Sequence, residues 1–181
     1  LAFYPEIVLV LSLTDGVIDV IGERTDVAIR SGPLRDSSLK ARKLLESRKV
    51  VIASPDYLAR HGTPQRPADL AAHNCLRFNF RRSVDDWPFL AADGVSIEDH
   101  DVTGNMLVSS GAILRQLCMN GLGLGRIGHF HVEPDIAAGT LVPVLEAFNP
   151  DDTEIVHAVF AGHEHLAVRI RAFIDFLVEK I

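Results

Sequence analysis

The chain has 181 residues, of which 48% are apolar and 23% charged, and its formal net charge is −6. This length and apolar fraction support one globular core or two small ones, and they exclude a disordered or fibrous chain. The acidic balance argues against a nucleic-acid-binding surface, because such surfaces need clustered Lys and Arg to displace the counterions of the phosphates.

We expect neither a membrane span nor a secretory signal at the beginning of the sequence. Its longest apolar run, residues 7–13, is broken by Ser12 and is far shorter than the roughly 20 residues that a membrane-spanning helix needs. A signal peptide begins with basic residues, whereas the first Lys or Arg here is Arg24. We expect a cytoplasmic protein, and we expect that the printed sequence starts inside a longer chain.

The two cysteines, Cys75 and Cys118, have neither the CxxC spacing of a metal or redox site nor the density of a disulfide scaffold. This favours two reduced thiols in a cytoplasmic protein. A redox pair remains an alternative, since cysteines far apart in sequence can meet in a fold.

The first third of the chain predicts a βαβ unit. Residues 7–13 favour a strand that runs into a helix with an apolar face over residues 17–21. A second strand is predicted at residues 26–30 and a third at residues 49–53, which Ser54-Pro55 interrupts because proline supplies no amide donor.

Short elements with clear turn residues follow in the middle of the chain. The predicted helices include 56–61, which Gly62 ends, 67–72 and 136–138. A further helix is predicted between Ser109-Ser110, which cap its start, and Gly121, which ends it. Two of the predicted strands, 87–90 and 95–97, form a hairpin that residues 102–103 extend. The other predicted strands are 76–80, 122–127, 141–145 and 154–160. Apolar residues at helical spacing predict a long terminal helix, whose stripe consists of Leu166, Ile170, Phe173, Ile174, Leu177, Val178 and Ile181.

Strands that alternate with helices indicate an α/β fold with a mainly parallel sheet. Chain crossings predicted at Ser54-Pro55 and Ala161-Gly162 divide it into a first lobe, residues 1–54 and 161–181, and a second lobe, residues 55–160. Ligands of such sheets bind beyond the carboxyl ends of the strands, so the two lobes predict a cleft between them.

Several stretches, in the same order along the chain, resemble the effector-binding (substrate-binding) domain of LysR-type transcriptional regulators. They are residues 25–44 (TDVAIRSGPLRDSSLKARKL), 53–64 (ASPDYLARHGTP), 67–76 (PADLAAHNCL), 120–125 (NGLGLG) and 171–177 (RAFIDFL). Collinear matches over nearly the whole chain are far more specific than any one motif.

The resemblance implies an α/β fold of two lobes resembling periplasmic solute-binding proteins, joined by two chain crossings. It also implies a small-molecule effector in the interlobe cleft and a homodimer of this domain, residues 16–23 of one subunit lying against residues 110–120 of the other. The full-length bacterial protein is then expected to be a homotetramer that binds DNA only through an upstream helix-turn-helix domain. A first effector-domain strand, which helps to form the cleft, is also expected upstream.

Two departures from the family pattern affect these expectations. The family usually has proline after the strand that follows the glycine turn, whereas this chain has Gly128, which puts the local cleft geometry in question. Residues 162–166 (GHEHL) stand where the family tends to place basic residues.

Candidate ligand-binding residues in the first lobe follow its strands. Thr14 and Asp15 could present a hydroxyl and helix N-terminal amides to an anion, although Asp15 could also be a simple N-cap. Arg30, Ser31 and Gly32 end the next strand, where a guanidinium suits a ligand carboxylate. The alternative for Arg30 is a structural ion pair.

In the second lobe, Asn79 and Phe80 could supply an amide and an apolar wall, with a core position as the alternative for Phe80. Val108, Ser109 and Ser110 begin a helix, so their amides and hydroxyls could face the cleft or simply cap that helix. Gly128 completes the predicted site.

Metal, cofactor and catalytic sites are not expected. Residues 123–128 spell GxGxxG, but a dinucleotide loop follows a strand and opens a helix, and here that order is reversed. No GxSxG, P-loop or kinase motif occurs in the sequence. Five histidines without cysteine partners or HExxH spacing favour solvent-exposed loop positions: His129, His131, His157, His163 and His165.

We therefore predict a regulatory domain that binds a small effector, a carboxylate in our interpretation, with no cofactor. Two alternatives remain open: a periplasmic-type solute-binding protein of the same shape, and an enzyme whose catalytic residues show no motif. The upstream sequence would separate the first alternative from a regulator, since one begins with a signal peptide and the other with a helix-turn-helix.

Overall fold

A computed structural model describes residues 7–13, 25–32, 34, 39–79, 86–161 and 168–181. The strands in these ranges are β1 (Ala28–Ser31), β2 (Leu39–Ala53), β3 (Cys75–Phe78), β4 (Pro88–Leu90), β5 (Ile97–Asp99), β6 (Leu107–Val108), β7 (Leu124–Gly128), β8 (Val142–Val144) and β9 (Thr153–Ala161). The α-helices are α1 (Pro55–His61), α2 (Gly111–Met119), α3 (Glu133–Ala137) and α4 (Val168–Lys180), and 3-10 helices span Pro67–Ala72, His129–His131 and Glu146–Phe148.

The long strand β2 connects two groups of strands. From Leu39 to Arg48 it pairs antiparallel with β9, which in turn pairs with β1. From Lys49 to Ala53 it pairs instead with β7 and β8. The resulting order is β1-β9-β2-β7-β3-β6, while β4 and β5 form a separate hairpin. One continuous strand therefore positions both groups relative to each other.

The prediction of a mainly parallel sheet is wrong for the described strands. Only β3 pairs parallel to its neighbours, β7 and β6, whereas the pairs around β2, β8 and β9 are antiparallel. Parallel neighbours need a crossover connection, usually a helix, and β2 and β9 instead run back past each other as long strands. The α/β class itself is confirmed.

Turn and capping residues locate several elements correctly. The Oγ of Ser54 accepts a hydrogen bond from the amide of Tyr57 at the start of α1, and the helix ends at Gly62 with a φ of 84°. Gly121, with a φ of 70°, follows α2 as expected, and Gly139, with a φ of 72°, follows α3. These positions were predictable because the left-handed backbone conformation favours glycine.

Other predicted elements differ from the structure. Residues 7–13 have no regular secondary structure and are exposed, because no described strand lies beside them to satisfy their backbone groups. Residues 39–48, with their many charges, gave no strand signal, and β6 was also missed. Residues 102–103 do not extend the hairpin. The helix predicted at 17–21 lies outside the described residues.

Three apolar clusters form the described core. Alternate residues of β2 enter two of them: Val51 and Ala53 pack with Tyr57 of α1 and the hairpin, whereas Val50 and Ile52 pack on the side of α2. In the third cluster Ile174 of α4 packs against β9 and β2, as the periodic stripe predicted, although Ile181 remains 58% exposed. None of the described helices is long and apolar enough to span a bilayer.

A buried ion cluster stands where β2 changes partners. Lys49 and Arg126 are only 5% and 3% exposed, and both bind the carboxylate of Asp152, Lys49 at 3.1 Å. The amide of Lys49 also donates to the carbonyl of Asp152, at 3.0 Å. Asp152 directly precedes β9, so a single side chain joins both long strands to β7.

We expect Asp152→Asn to destabilise the fold, because it removes the carboxylate charge that binds two buried cations, Lys49 and Arg126. Loss of one member of a buried ion pair typically costs about 3 to 5 kcal/mol, and the partial exposure of Asp152 places the effect at about 3 kcal/mol. Urea unfolding measures this change. The neighbouring Asp151→Asn is a matched control, since Asp151 is exposed and its φ of 56° suits asparagine; equal losses in both variants would contradict the assignment.

Candidate functional site

The carboxyl ends of three strands lie side by side in the sheet. β7, β3 and β6 run parallel and end at Gly128, Phe78 and Val108. The amide of Asn79 donates to the carbonyl of Val108 at 2.8 Å, which holds the first residue after β3 beside the end of β6. The structure thus brings together the second-lobe candidates Asn79, Val108, Ser109, Ser110 and Gly128, at the edge where ligands of such sheets bind.

Helix α2 begins directly at this edge. The Oγ of Ser110 accepts a hydrogen bond from the amide of Ile113 at 3.4 Å, so the capping interpretation of Ser110 is correct. Ser109 is half-buried, whereas the side chain of Val108 lies in the core. Of these three residues, Ser109 offers a hydroxyl that the cap does not use.

The first-lobe candidates lie at the end of β1. Ser31 pairs with Val156, and the amide of Gly32, at a φ of 86°, donates to the carbonyl of Ile155 at 3.0 Å. Arg30 is half-buried, has interaction partners in the fold and lies opposite His157. Thr14, Asp15 and Phe80 lie outside the described residues.

One candidate from each set, Gly32 and Gly128, lies against the start of β9. Glu154, next to the Ile155 that Gly32 contacts, is 6% exposed. Its Oε2 lies 2.7 Å from the point where a Cβ on Gly128 would stand, so the missing side chain of Gly128 makes room for this carboxylate. The glycine that departs from the family pattern therefore faces the junction of the two strand groups.

Sequence reasoning missed two residues at this junction, Glu154 and His131. The prediction of an exposed loop position for His131 is wrong: it is half-buried in the 3-10 helix, and its Nε2 lies 2.9 Å from the point where a Cβ on Gly111 would stand. Its ring packs against Phe130, with 3.9 Å between centroids. Gly111 and Gly128 were the only local signals, since both leave space for a neighbouring polar group.

Two other histidines also differ from the prediction. His129 is half-buried in the same 3-10 helix, and His157 lies in β9, where its buried Nδ1 has no hydrogen-bond partner among the described residues. His163 and His165 lie outside those residues. In the part of the chain that the structure describes, no group of three His, Cys, Asp or Glu is placed to hold a metal ion.

The imidazole of His131 responds to three neighbours. Burial lowers its pKa, the carboxylate of Glu154 raises it, and the guanidinium of Arg115 lowers it again. Arg115 itself binds Asp135 of α3 side-on, through Nε at 2.5 Å and Nη2 at 2.6 Å. His131 is thus neutral near pH 7, next to a buried carboxylate.

Both cysteines are buried and free, as predicted. Burial raises the pKa of each thiol to about 12, so neither forms a thiolate at neutral pH. Residues 124–128 of the GxGxxG stretch form β7, which excludes a phosphate-binding turn there.

The chain matches, over residues 1–181, the family described as the LysR substrate binding domain. It therefore belongs to the effector domains of the LysR-type transcriptional regulators. Among curated proteins, it is 43% identical over 178 residues to the HTH-type transcriptional regulator CrgA of Neisseria meningitidis serogroup C, covering 98% of this chain and 58% of that protein. It is 35% identical to a regulator of Xanthomonas campestris, covering 99% and 53%. The chain thus spans little more than half the length of these relatives.

Solved structures show the same fold. The CrgA regulatory domain from Neisseria meningitidis superposes with a TM-score of 0.89 at 42% identity, covering 99% of this chain and 86% of that one. Full-length AphB of Vibrio cholerae gives 0.80 at 26% identity, covering 99% and 60%. This is the two-lobed α/β architecture of periplasmic binding proteins, as predicted.

The state of His131 predicts a pH dependence of stability. Because its pKa is lower in the folded chain than the ordinary 6.5, an unfolded chain takes up the proton first as the pH falls. The contribution of His131 to the free energy of unfolding is therefore complete above about pH 6.5 and decreases as the pH falls below that value. We expect His131→Gln to flatten this decrease in urea titrations between about pH 7 and pH 5. His73, whose pKa burial also lowers, leaves a residual slope; identical curves for variant and wild type would contradict the prediction.

Proposed function

We propose that this chain is the effector-sensing regulatory domain of a LysR-type transcription factor and that a small metabolite binds in its interlobe cleft. The observation that carries the proposal is the approach of Gly32, after β1, and Gly128, after β7, to the first residues of β9. A ligand at this junction would touch both strand groups at once. The family to which the chain belongs binds small effectors and binds DNA through a separate helix-turn-helix domain.

The ligand-contacting groups follow from the chemistry of the strand ends. We assign a ligand carboxylate to Arg30, with hydroxyls from Thr14, Ser31 and Ser109, because a buried anion requires charge-assisted or multiple hydrogen bonds. Asp15, Gly32, Asn79, Phe80, Val108, Ser110 and Gly128 complete the proposed site. Ser31 and Ser109 are half-buried at the ends of β1 and β6, which supports their part in it.

The ligand acts by its differential affinity for two lobe arrangements, and subunit contacts pass the change to the DNA-binding domains. The lobes of this proposal are residues 1–54 with 161–181, and residues 55–160; β2 changes its partners between Arg48 and Lys49, close to the first boundary. The domain works in the cytoplasm, without a cofactor and without catalysis. The relatives are named as transcriptional regulators, which supports the last point.

Replacing Arg30 tests the carboxylate assignment. We expect Arg30→Ala to weaken binding of the metabolite released from the purified protein more than tenfold in calorimetry, since loss of one partner of a desolvated ion pair costs roughly 2 to 5 kcal/mol. Thr14→Val should cost only about 1 kcal/mol, the contribution of a neutral hydrogen bond.

The control for this experiment is Arg66→Ala, because the Arg66 side chain is 74% exposed and binds the nearby Asp69. Affinity that is unchanged in Arg30→Ala would show that the ligand lies elsewhere. Unfolding of that variant would show that Arg30 is structural.

Helix α2 also carries the proposed dimer contact with residues 16–23 of the partner subunit. Leu114 and Cys118 form the buried face of this helix, whereas Ile113 is 47% exposed. An apolar side chain on the outer face of a core helix suits an interface between subunits. In the full-length protein we propose a tetramer, in line with the family resemblance.

We expect Ile113→Arg to shift the protein from dimer to monomer in sedimentation velocity, because the new charge would be desolvated at the contact. Val95→Arg is the control, since Val95 is 80% exposed in the turn between β4 and β5 and is not part of α2. A dimer that persists in Ile113→Arg and dissociates in the control would place the interface elsewhere.

A further inference from the structure

Arg77, in β3, has a guanidinium group without a partner in the part of the chain that the structure describes. The residue is half-buried, and its Nε is a buried donor that makes no hydrogen bond. The ion pairs among the described residues use other cations, namely Lys43, Arg48, Lys49, Arg66, Arg115, Arg126 and Lys180. A buried N–H group without an acceptor is unfavourable, so this arginine calls for a function.

The register of the sheet places a second arginine beside Arg77. In the parallel pairing of β3 with β7, Cys75 lies level with Leu124, and both side chains belong to the core cluster that includes the hairpin. Continued by two residues on each strand, this register brings Arg77 level with Arg126, on the same face of the sheet. Two guanidinium groups on neighbouring strands repel each other unless anions compensate their charges.

The nearby carboxylate of Asp152 is already used. Asp152 binds Arg126, and it also binds Lys49 at 3.1 Å. This part of the sheet therefore carries three cations, and the carboxylate that pairs with two of them does not pair with Arg77. A further anion near Arg77 would reduce this excess of positive charge.

The sheet is open on the other side of Arg77. Arg77 pairs with Leu107 of β6, which is the last strand of the described sheet, and Leu107 is 54% exposed. The next pair, Phe78 and Val108, lies in the core on the side of α2, so Arg77 and Leu107 face the opposite way. A ligand can therefore approach Arg77 from solvent across the β6 edge.

The position of Arg77 connects it to the proposed site in the second lobe. Arg77 lies one residue before the end of β3, and Asn79, one of the proposed ligand contacts, follows that end. The hydrogen bond from the amide of Asn79 to the carbonyl of Val108 continues the strand pairing by one step. Because residues i and i+2 of an extended chain share a face, the exposed Asn79 lies on the same face as Arg77.

We propose that Arg77 binds an acidic group of the effector from the second lobe, with the side-chain amide of Asn79 as a further donor. This inference rests on the proposed function, which assigns one carboxylate to Arg30 in the first lobe; an effector that both lobes hold is then a diacid. A carboxylate at Arg77 supplies the missing counterion and accepts charge-assisted hydrogen bonds from the guanidinium. A neutral amide in the same place leaves Arg77 without a counterion.

Matched ligands test the proposal on the full-length protein. The probes are diacids of different length, each paired with its monoamide: succinate with succinamate, adipate with adipamate, and terephthalate with 4-carbamoylbenzoate. All six are titrated by calorimetry. We expect a diacid of this panel to bind at least about tenfold more tightly than its monoamide. Equal affinities within the binding pairs, or no binding by any diacid, would overturn the inference.

Variants of Arg77 separate a binding role from a structural one. We expect Arg77→Gln to lose the preference for the diacid over its monoamide, because the cation that distinguishes the two ligands is gone. A purely structural role would weaken both ligands of a pair alike and leave their ratio unchanged. Arg66→Gln is the control, since Arg66 is an exposed arginine of the same lobe, and it should keep the preference. An unchanged preference in Arg77→Gln would refute the proposal.

Two further variants cover the case in which Arg77→Gln does not fold. Arg77→Lys keeps the charge, and Arg77→Met replaces it with an apolar side chain, so we expect the preference for the diacid to persist in the first and to disappear in the second. The same preference in both variants would overturn the inference. If acids bind in an Arg30-dependent manner with no preference for a second carboxylate, the proposed function stands and this inference fails.

Discussion

The ion cluster around Asp152 is the interaction on which the relation between the two strand groups depends. Lys49 stands in β2 where its partner changes from β9 to β7, and Arg126 stands in β7 itself. Both cations are almost fully buried, and the carboxylate of Asp152, directly before β9, binds both of them. Because buried charges tolerate little displacement from their partners, this cluster fixes the point from which the two groups diverge.

The candidate site uses the same stretch of backbone a few residues further on. Glu154 and Ile155 follow Asp152 along the chain, and they contact Gly128 and Gly32 from the two sides. The stretch of residues 152–155 thus contacts both strand groups: the carboxylate of Asp152 binds the two buried cations, and Glu154 and Ile155 lie against the ends of β7 and β1.

Local sequence chemistry predicted the helix limits and several strands well. Ser54, Gly62, Ser110 and Gly121 act within a few residues of themselves, so their effects can be read without knowledge of distant contacts. Residues 39–48 could not be predicted in this way, because their many charges hide a strand that exists only through pairing with β9. Residues 7–13 show the reverse case, in which a strong strand pattern finds no described neighbour.

The candidate site was predictable only where strand ends could be recognised. The strand-end positions of Arg30, Ser31 and Gly32 were recognised because a turn follows a clear strand, and the position of Ser109 and Ser110 because a helix follows them. Glu154 was read as an ordinary strand residue and His131 as a loop residue, since their significance lies in Gly128 and Gly111 beside them in space. Such proximity depends on the crossing of long strands, which no local pattern encodes.

Sharing β2 between two groups of strands also limits how the sequence can change in evolution. Side chains alternate between faces along a strand, so insertion or deletion of one residue within β2 would turn every later side chain to the opposite face. Between Lys49 and Ala53 this would exchange the residues of two core clusters and remove Lys49 from Asp152. The irregularity between Lys43 and Leu45 is the one place in the pairing of β2 with β9 where the register already shifts. Changes in length among homologous chains should therefore concentrate at this bulge or outside β2.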